Sequence, residues 1–126
     1  MAKQEFFQHF CVVRQEHLNH YGSLFGGHLL RIIDEIAFVA CVRTFPGHNF
    51  VTRALNNVEF LAPAKLGDIL EAKAGLQKVG TTSCQVAVQV TICDSQGNGR
   101  LISFDGVVVL VSVDGKGKPT PIRKHS

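Results

Sequence analysis

Asn19-His-Tyr-Gly-Ser-Leu-Phe-Gly-Gly-His-Leu-Leu-Arg-Ile-Ile-Asp-Glu-Ile-Ala-Phe-Val-Ala-Cys-Val42 is the stretch around which the rest of the chain is organised. It opens as a loop with Asn19, Gly22 and Ser23, narrows to Gly26-Gly27, and continues in good helix formers until Pro46-Gly47 forbids more helix. The spacing predicts one long helix from about Gly26 to Thr44. Leu29, Leu30, Ile32, Ile33, Ile36, Ala37, Phe38, Val39, Ala40 and Cys41 occupy nearly its whole circumference, the pattern of a helix buried on most sides. Arg31, Asp34 and Glu35 interrupt that pattern.

A glycine pair at a helix start has a physical use. The first backbone N–H groups lack intrahelical partners and the helix dipole is positive there. With no side chain in the way, a carbonyl oxygen can approach those donors, which is how an oxyanion site is built. Asp34 lies eight positions beyond Gly26 on the same helix. At ~1.5 Å rise per residue the two are about 12 Å apart, too far to act on one carbonyl carbon. If both do chemistry, the Asp34 serving one Gly26 comes from a second copy, so the arithmetic points to a homodimer with a shared site.

At 126 residues the chain reads as one domain, with a core at about 6–113 and a loosely held basic tail at 114–126. A chain of this size buries roughly two thirds of its unfolded surface without staples. With 45% hydrophobic and 18% charged residues it reads as globular, and its longest apolar runs are far too short to span a bilayer. Met1 to His9 contains no continuous apolar core, so no signal peptide is expected and the expected location is cytoplasmic. The net charge of +3 is mild and gathers in Lys116, Lys118, Arg123 and Lys124, a solvated end rather than a nucleic-acid arm. Cys11, Cys41, Cys84 and Cys93 form no C-x-x-C pair and read as buried reduced thiols.

Strands are expected at about Phe6 to Arg14, Phe50 to Ala62, Ile69 to Val79, Thr82 to Asp94 and Arg100 to Val113. The fourth is the clearest, with Val86, Val88, Val90 and Ile92 alternating with polar residues. Gln96-Gly97-Asn98-Gly99 reads as a hairpin turn, and Gly106 as the mark of a bulge. Val107 to Val111 is apolar on both faces and belongs inside a sheet. One strand, one long helix and four strands make an α+β domain whose sheet wraps the helix.

Asn19-x-x-Gly22, Phe25-Gly26-Gly27, Asp34-Glu35-x-Ala37, Val51-Thr52, Phe60-x-x-Pro63, Gly67-Asp68 and Gly80-x-x-Ser83 together resemble the hotdog-fold acyl-CoA thioesterases, in the acyl-CoA hydrolase group that includes the YciA-like enzymes. The ordered set runs from about Cys11 to Val113. The resemblance implies a central helix wrapped by a five-stranded antiparallel sheet of order 1-3-4-5-2. It also implies dimers, often built further into trimers of dimers, and hydrolysis of acyl-CoA to free acid and CoA. By the same resemblance the Gly26 N–H receives the thioester oxygen, Asp34 comes from the neighbouring subunit, and the Asn19 amide holds substrate or water. CoA is then part of the substrate, and no separate cofactor is implied. Two departures stand out: Phe38 replaces a hydroxyl found one turn after the carboxylate in some members, and Phe25 replaces a histidine found before the glycines in others.

Each residue also has a plainer reading. Asp34 could pair with Arg31, although a carboxylate on so apolar a helix is costly to bury without purpose. As a catalyst it could activate water, the favoured reading, or attack the thioester directly. Gly26 and Gly27 could form a packed corner, Asn19 a turn, and Glu35 a structural contact. Gly80, Thr81, Thr82 and Ser83 offer N–H groups and hydroxyls to phosphate or pantetheine, with Arg53, Lys65 and Lys78 as candidate cations, or else make an ordinary turn. His17-x-x-His20 has the look of a metal pair without further ligands, so no metal is expected, and His28 reads as a neighbour of the pocket. Two rival functions remain: a hotdog hydratase or dehydratase, and a non-catalytic acyl-CoA-binding module. Release of free thiol separates both from a hydrolase.

Overall fold

Helix α1 spans Gly26–Thr44, the bounds expected from the sequence. Its last carbonyls are still served, with Phe45 N–H donating to Cys41 O at 2.9 Å and Thr44 Oγ1 to the Ala40 carbonyl at 2.7 Å, but Phe45, ahead of Pro46, has left helical geometry at φ −124°, ψ 74°, and Gly47 turns the chain at φ +90°. The computed structural model describes residues 6–93, 96 and 100–123. Its strands are β1 (Phe6–Val12), β2 (Asn49–Phe60), β3 (Ile69–Val79), β4 (Ser83–Cys93) and β5 (Arg100–Val113), all antiparallel in the order β1-β3-β4-β5-β2. β1 ends two residues before the expected Arg14, because the chain there enters a 3-10 turn at Gln15–His17. The expected turn at Gln96 to Gly99 lies, apart from Gln96, outside the described residues.

The helix rests on one face of the sheet. Leu29, Ile33, Ile36, Ala37, Ala40 and Cys41 meet Leu70, Ala72 and Ala74 of β3, the alternating Val86, Val88, Val90 and Ile92 of β4, and Val108 and Leu110 of β5 in one core. Buried alanines on both sides let the helix axis approach the strands. Burial on most sides is not what a single chain achieves: Phe38 and Val39 stay 43% and 42% exposed, because one sheet covers one flank only. Among the described residues no helix is long and apolar enough to cross a membrane.

The expected bulge lies opposite Gly106 rather than at it. Asn56 pairs with Val107 and Glu59 with Asp105, leaving Asn57 and Val58 facing Gly106 alone. Asn57 takes the left-handed conformation, φ 54°, that such a bulge permits. A Cβ on Gly106 would sit 2.9 Å from Phe104 Cζ, so the glycine makes room for that core ring.

The tail, expected to be loosely held, is tied down as far as Arg123. Thr120 N–H donates to Ser112 O and Ile122 N–H to Thr81 O, each at 2.8 Å, and Arg123 N–H donates to His48 Nε2 at 3.2 Å. Ile122 supplies the reason, since its side chain joins the core. Of the four thiols, Cys41 and Cys84 are buried while Cys11 and Cys93 are half-buried, which corrects the expectation of full burial for the latter two. A hydrogen bond to Cys84, with burial, pushes the Cys41 thiol up, so it stays protonated.

Candidate active site

The loop before the helix is built on Asn19. Its Oδ1 accepts from Tyr21 N–H at 2.9 Å and Ser23 N–H at 3.1 Å, and its backbone N–H donates to Ser23 O at 2.7 Å. Gly22, at φ +81°, closes the turn in a conformation that side chains rarely adopt. The turn reading of Asn19 therefore holds, and the amide oxygen is occupied. Its Nδ2 donates no hydrogen bond among the described residues.

The loop delivers the chain to the helix through Phe25, whose carbonyl accepts from His28 N–H at 3.0 Å and Leu29 N–H at 3.1 Å. Gly26 and Gly27 precede those first intrahelical donors. No side-chain cap serves them, and the first turn carries no acidic residue. The two glycines differ in what they avoid. A Cβ on Gly27 would stand 2.5 Å from Phe25 Cε2, so close packing explains that position. A Cβ on Gly26 would meet nothing within 4 Å. Gly26 borders a cleft of about 280 Å³ with Leu24, Leu29, the segment Phe60 to Ala64 and Ser103.

Asp34 takes Thr52, not Arg31, as its partner: the Thr52 hydroxyl on β2 donates to Asp34 Oδ1. Both residues are exposed, so any desolvation of the carboxylate must come from outside this chain. In the sequence Thr52 stands only as part of the Val51-Thr52 element of the resemblance, with no role of its own, while the position one turn after Asp34 holds Phe38 in place of a hydroxyl. Only the pairing of β2 along β5 brings residue 52 to the helix, and no local pattern announces it. Beside it, Arg53 is the extra residue of a second β2 bulge, between Thr52 and Ala54, and is exposed.

The remaining candidates lie apart. In the Gly80–Ser83 turn, Gly80 N–H donates to Ser83 O, and the carbonyls of Thr81 and Thr82 accept from Ile122 and Ser112. Ser83 is level with Val111, whereas Val90 is level with Phe104, a neighbour of the Gly26 cleft's Phe60. Seven residues of strand separate those levels, about 23 Å, so one chain does not bring the turn or Lys78 to its own Gly26. Lys65 lies nearer the loop, bridged through its backbone to Ser23. His17 and His20 are separated as well: His17 stacks on His28, and His20 packs on Tyr21. Glu35 is exposed and borders a different cleft with His17, His28 and Arg31.

A long helix laid on a five-stranded antiparallel sheet of this order is the hotdog fold. Residues 21–97 match the thioesterase superfamily, and the chain belongs to that family. The uncharacterized acyl-CoA thioester hydrolase YkhA of Bacillus subtilis is 31% identical over 104 residues, which cover 82% of this chain and 60% of that protein. The chain thus spans about 60% of the length of the curated relatives it first matches. An acyl-CoA hydrolase from Staphylococcus aureus, solved with butyryl-CoA, CoA and CoA disulfide, superimposes with a TM-score of 0.84 at 33% identity, over 94% of this chain and 72% of that one. Its alanine variants at an asparagine, an aspartate and a threonine are similar too. An apo-hexameric acyl-CoA thioesterase gives a TM-score of 0.86 at 31% identity, over 93% and 74%.

Proposed function

We propose that this chain hydrolyses acyl-CoA thioesters to the free acid and CoA, in a cytoplasmic homodimer whose sites are shared between subunits. The observation that carries the reading is the Asp34–Thr52 contact: an exposed carboxylate in mid-helix, held by a hydroxyl from the edge strand β2, on a helix whose charges are otherwise few. The same edge exposes Val51, Leu55 and Phe60, and the helix exposes Phe38 and Val39. An apolar flank beside a free strand edge calls for a partner. A second copy also answers the roughly 12 Å between Gly26 and Asp34 of one helix. Support comes from the staphylococcal hydrolase, whose altered asparagine, aspartate and threonine are the residue types of Asn19, Asp34 and Thr52, and from the hexameric neighbour, which makes a trimer of dimers the natural larger assembly.

In this reading the Gly26 N–H, with Gly27 beside it, polarises the thioester carbonyl, and the apolar cleft next to Gly26 accepts acyl carbon. Asp34 of the other subunit takes a proton from water as the hydroxide adds to the carbonyl carbon. Collapse of the oxyanion breaks the carbon–sulfur bond, and the CoA thiolate recovers the proton from the carboxyl. Asn19 Nδ2 orients the reacting groups. Gly80, Thr81, Thr82 and Ser83, with Arg53, Lys65 and Lys78, meet the phosphates and pantetheine of a CoA bound across subunits. CoA enters as part of the acyl-CoA substrate, and no separate cofactor is required.

A thiol-release assay over short, medium, long and aromatic acyl-CoA esters tests the proposal. Asp34→Asn should lower turnover by about 10²–10⁴-fold while CoA still binds, the usual cost of losing a general base. Near-wild-type turnover in that variant refutes the assignment.

A further inference from the structure

On the flank of α1 that faces β1, at the sheet edge opposite β2, a cleft of about 480 Å³ lies between β1, the 3-10 turn and the first turns of the helix. His17 and His28 stand in its wall with their rings stacked, centroids 3.8 Å apart and planes inclined by 11°. The chemistry above uses neither ring. Their places in the chain give the stack its meaning: His17 ends the 3-10 turn and His28 is the third residue of the helix, so the rings close the two ends of residues 18–27. That segment carries both Asn19 and Gly26. Backbone bonds reinforce the closure, with Phe25 N–H donating to His17 O at 2.8 Å and Leu18 bridged to Leu24. Arg14 N–H donates to His17 Nδ1 at 3.1 Å and fixes that ring from behind.

We propose that the His17–His28 stack is a clasp that positions the Asn19–Gly26 loop, and that it holds only while the two rings do not both carry a proton. The catalytic consequence rests on the thioesterase reading; the clasp itself concerns two rings and a loop. Two imidazolium rings at this separation repel. Burial, then His17, then Arg31 press the His28 ring toward its neutral form, with Glu16 acting the other way. Protonating Nδ1 of His17 would remove the acceptor that Arg14 N–H uses. Among the described residues, the other charged or titratable groups that line the cleft with the pair are His9 and Cys11 of β1, Arg14 and Glu16 beside the turn, and Arg31 and Glu35 of the helix. Of these, Arg31 disfavours a proton on His28 and Glu16 favours it, and neither removes the repulsion between two charged rings. Because the folded-state value of His28 is depressed, its contribution is complete above the ordinary imidazole value and is lost as pH falls through the folded one.

His28→Ala and His28→Phe test this, with kcat and KM for thiol release followed from about pH 5 to 8. The alanine variant should lose about tenfold in kcat at neutral pH with KM little changed, as befits a misplaced loop. The phenylalanine variant keeps a stacked ring, so it should recover kcat and lose the acid fall that the second proton causes. Identical kcat and pH profiles for both variants and the wild type overturn the proposal. NMR titration of the imidazoles and amide exchange of residues 18–27 give a readout independent of catalysis. A His28 step displaced below the ordinary imidazole range, with faster loop exchange in His28→Ala, is expected. A single ordinary step with unchanged exchange overturns the clasp even in an active enzyme. The expected titration and exchange in a chain that releases no thiol keep the clasp and refute the thioesterase reading instead.

Discussion

Thr52→Val removes one hydroxyl and little else. Valine suits a strand as well as threonine does, and both Thr52 and Asp34 are exposed in the protomer, so the fold should lose no more than about 1 kcal/mol. The rate is a different matter, because the lost bond goes to a carboxylate. In the shared site proposed above, which a second copy would shield from water, a hydrogen bond to a charged group is worth about 1.5–3 kcal/mol. At about 1.4 kcal/mol per decade, that is a fall of roughly 10–10²-fold in kcat if the hydroxyl aims Asp34 at its water. The decisive measurement is a double-mutant cycle in thiol release. A hydroxyl acting only through Asp34 has nothing left to do in Asp34→Asn, so the double variant should match that single variant within about twofold. Undiminished kcat in Thr52→Val, or losses that multiply in the double variant, would refute the pairing as part of the catalytic unit.

The glycines supply two further tests. Gly26→Ala adds a methyl into open space, so its melting temperature should hold or rise, alanine being favoured over glycine in a helix by up to about 1 kcal/mol; thiol release should nonetheless fall about tenfold or more, toward the ~10²–10³ of a lost oxyanion donor. Gly27→Ala instead displaces the exposed Phe25 ring, and the smaller loss of rate expected there, compared in the same assay, separates oxyanion space from a packed corner. Gly106→Ala should cost about 1–3 kcal/mol in urea unfolding with an unchanged m-value, since the new Cβ meets the fully buried Phe104 ring and Val58, and a wild-type midpoint would show that the β2 bulge has slack.

The sequence by itself determined the helix bounds, the five strands and their faces, because those follow from local periodicity, from glycine and proline, and from which residues repeat every second position. It also placed Asn19, Gly26 and Asp34 on their elements and separated Gly26 from Asp34 along one helix axis, since rise per residue is a local property. What only the tertiary structure decided are contacts whose members are far apart in the chain. Thr52 reaches Asp34 through the register of β2 along β5. Ile122 returns to the core and ties down a tail whose composition reads as loose. The bulge near Gly106 falls on the partner strand, and Gly27 is packed against Phe25 where Gly26 is not. His17 and His28 meet face to face because the loop between them folds back on itself. Periodicity fixes which way a residue points; pairing and loop closure decide what it meets.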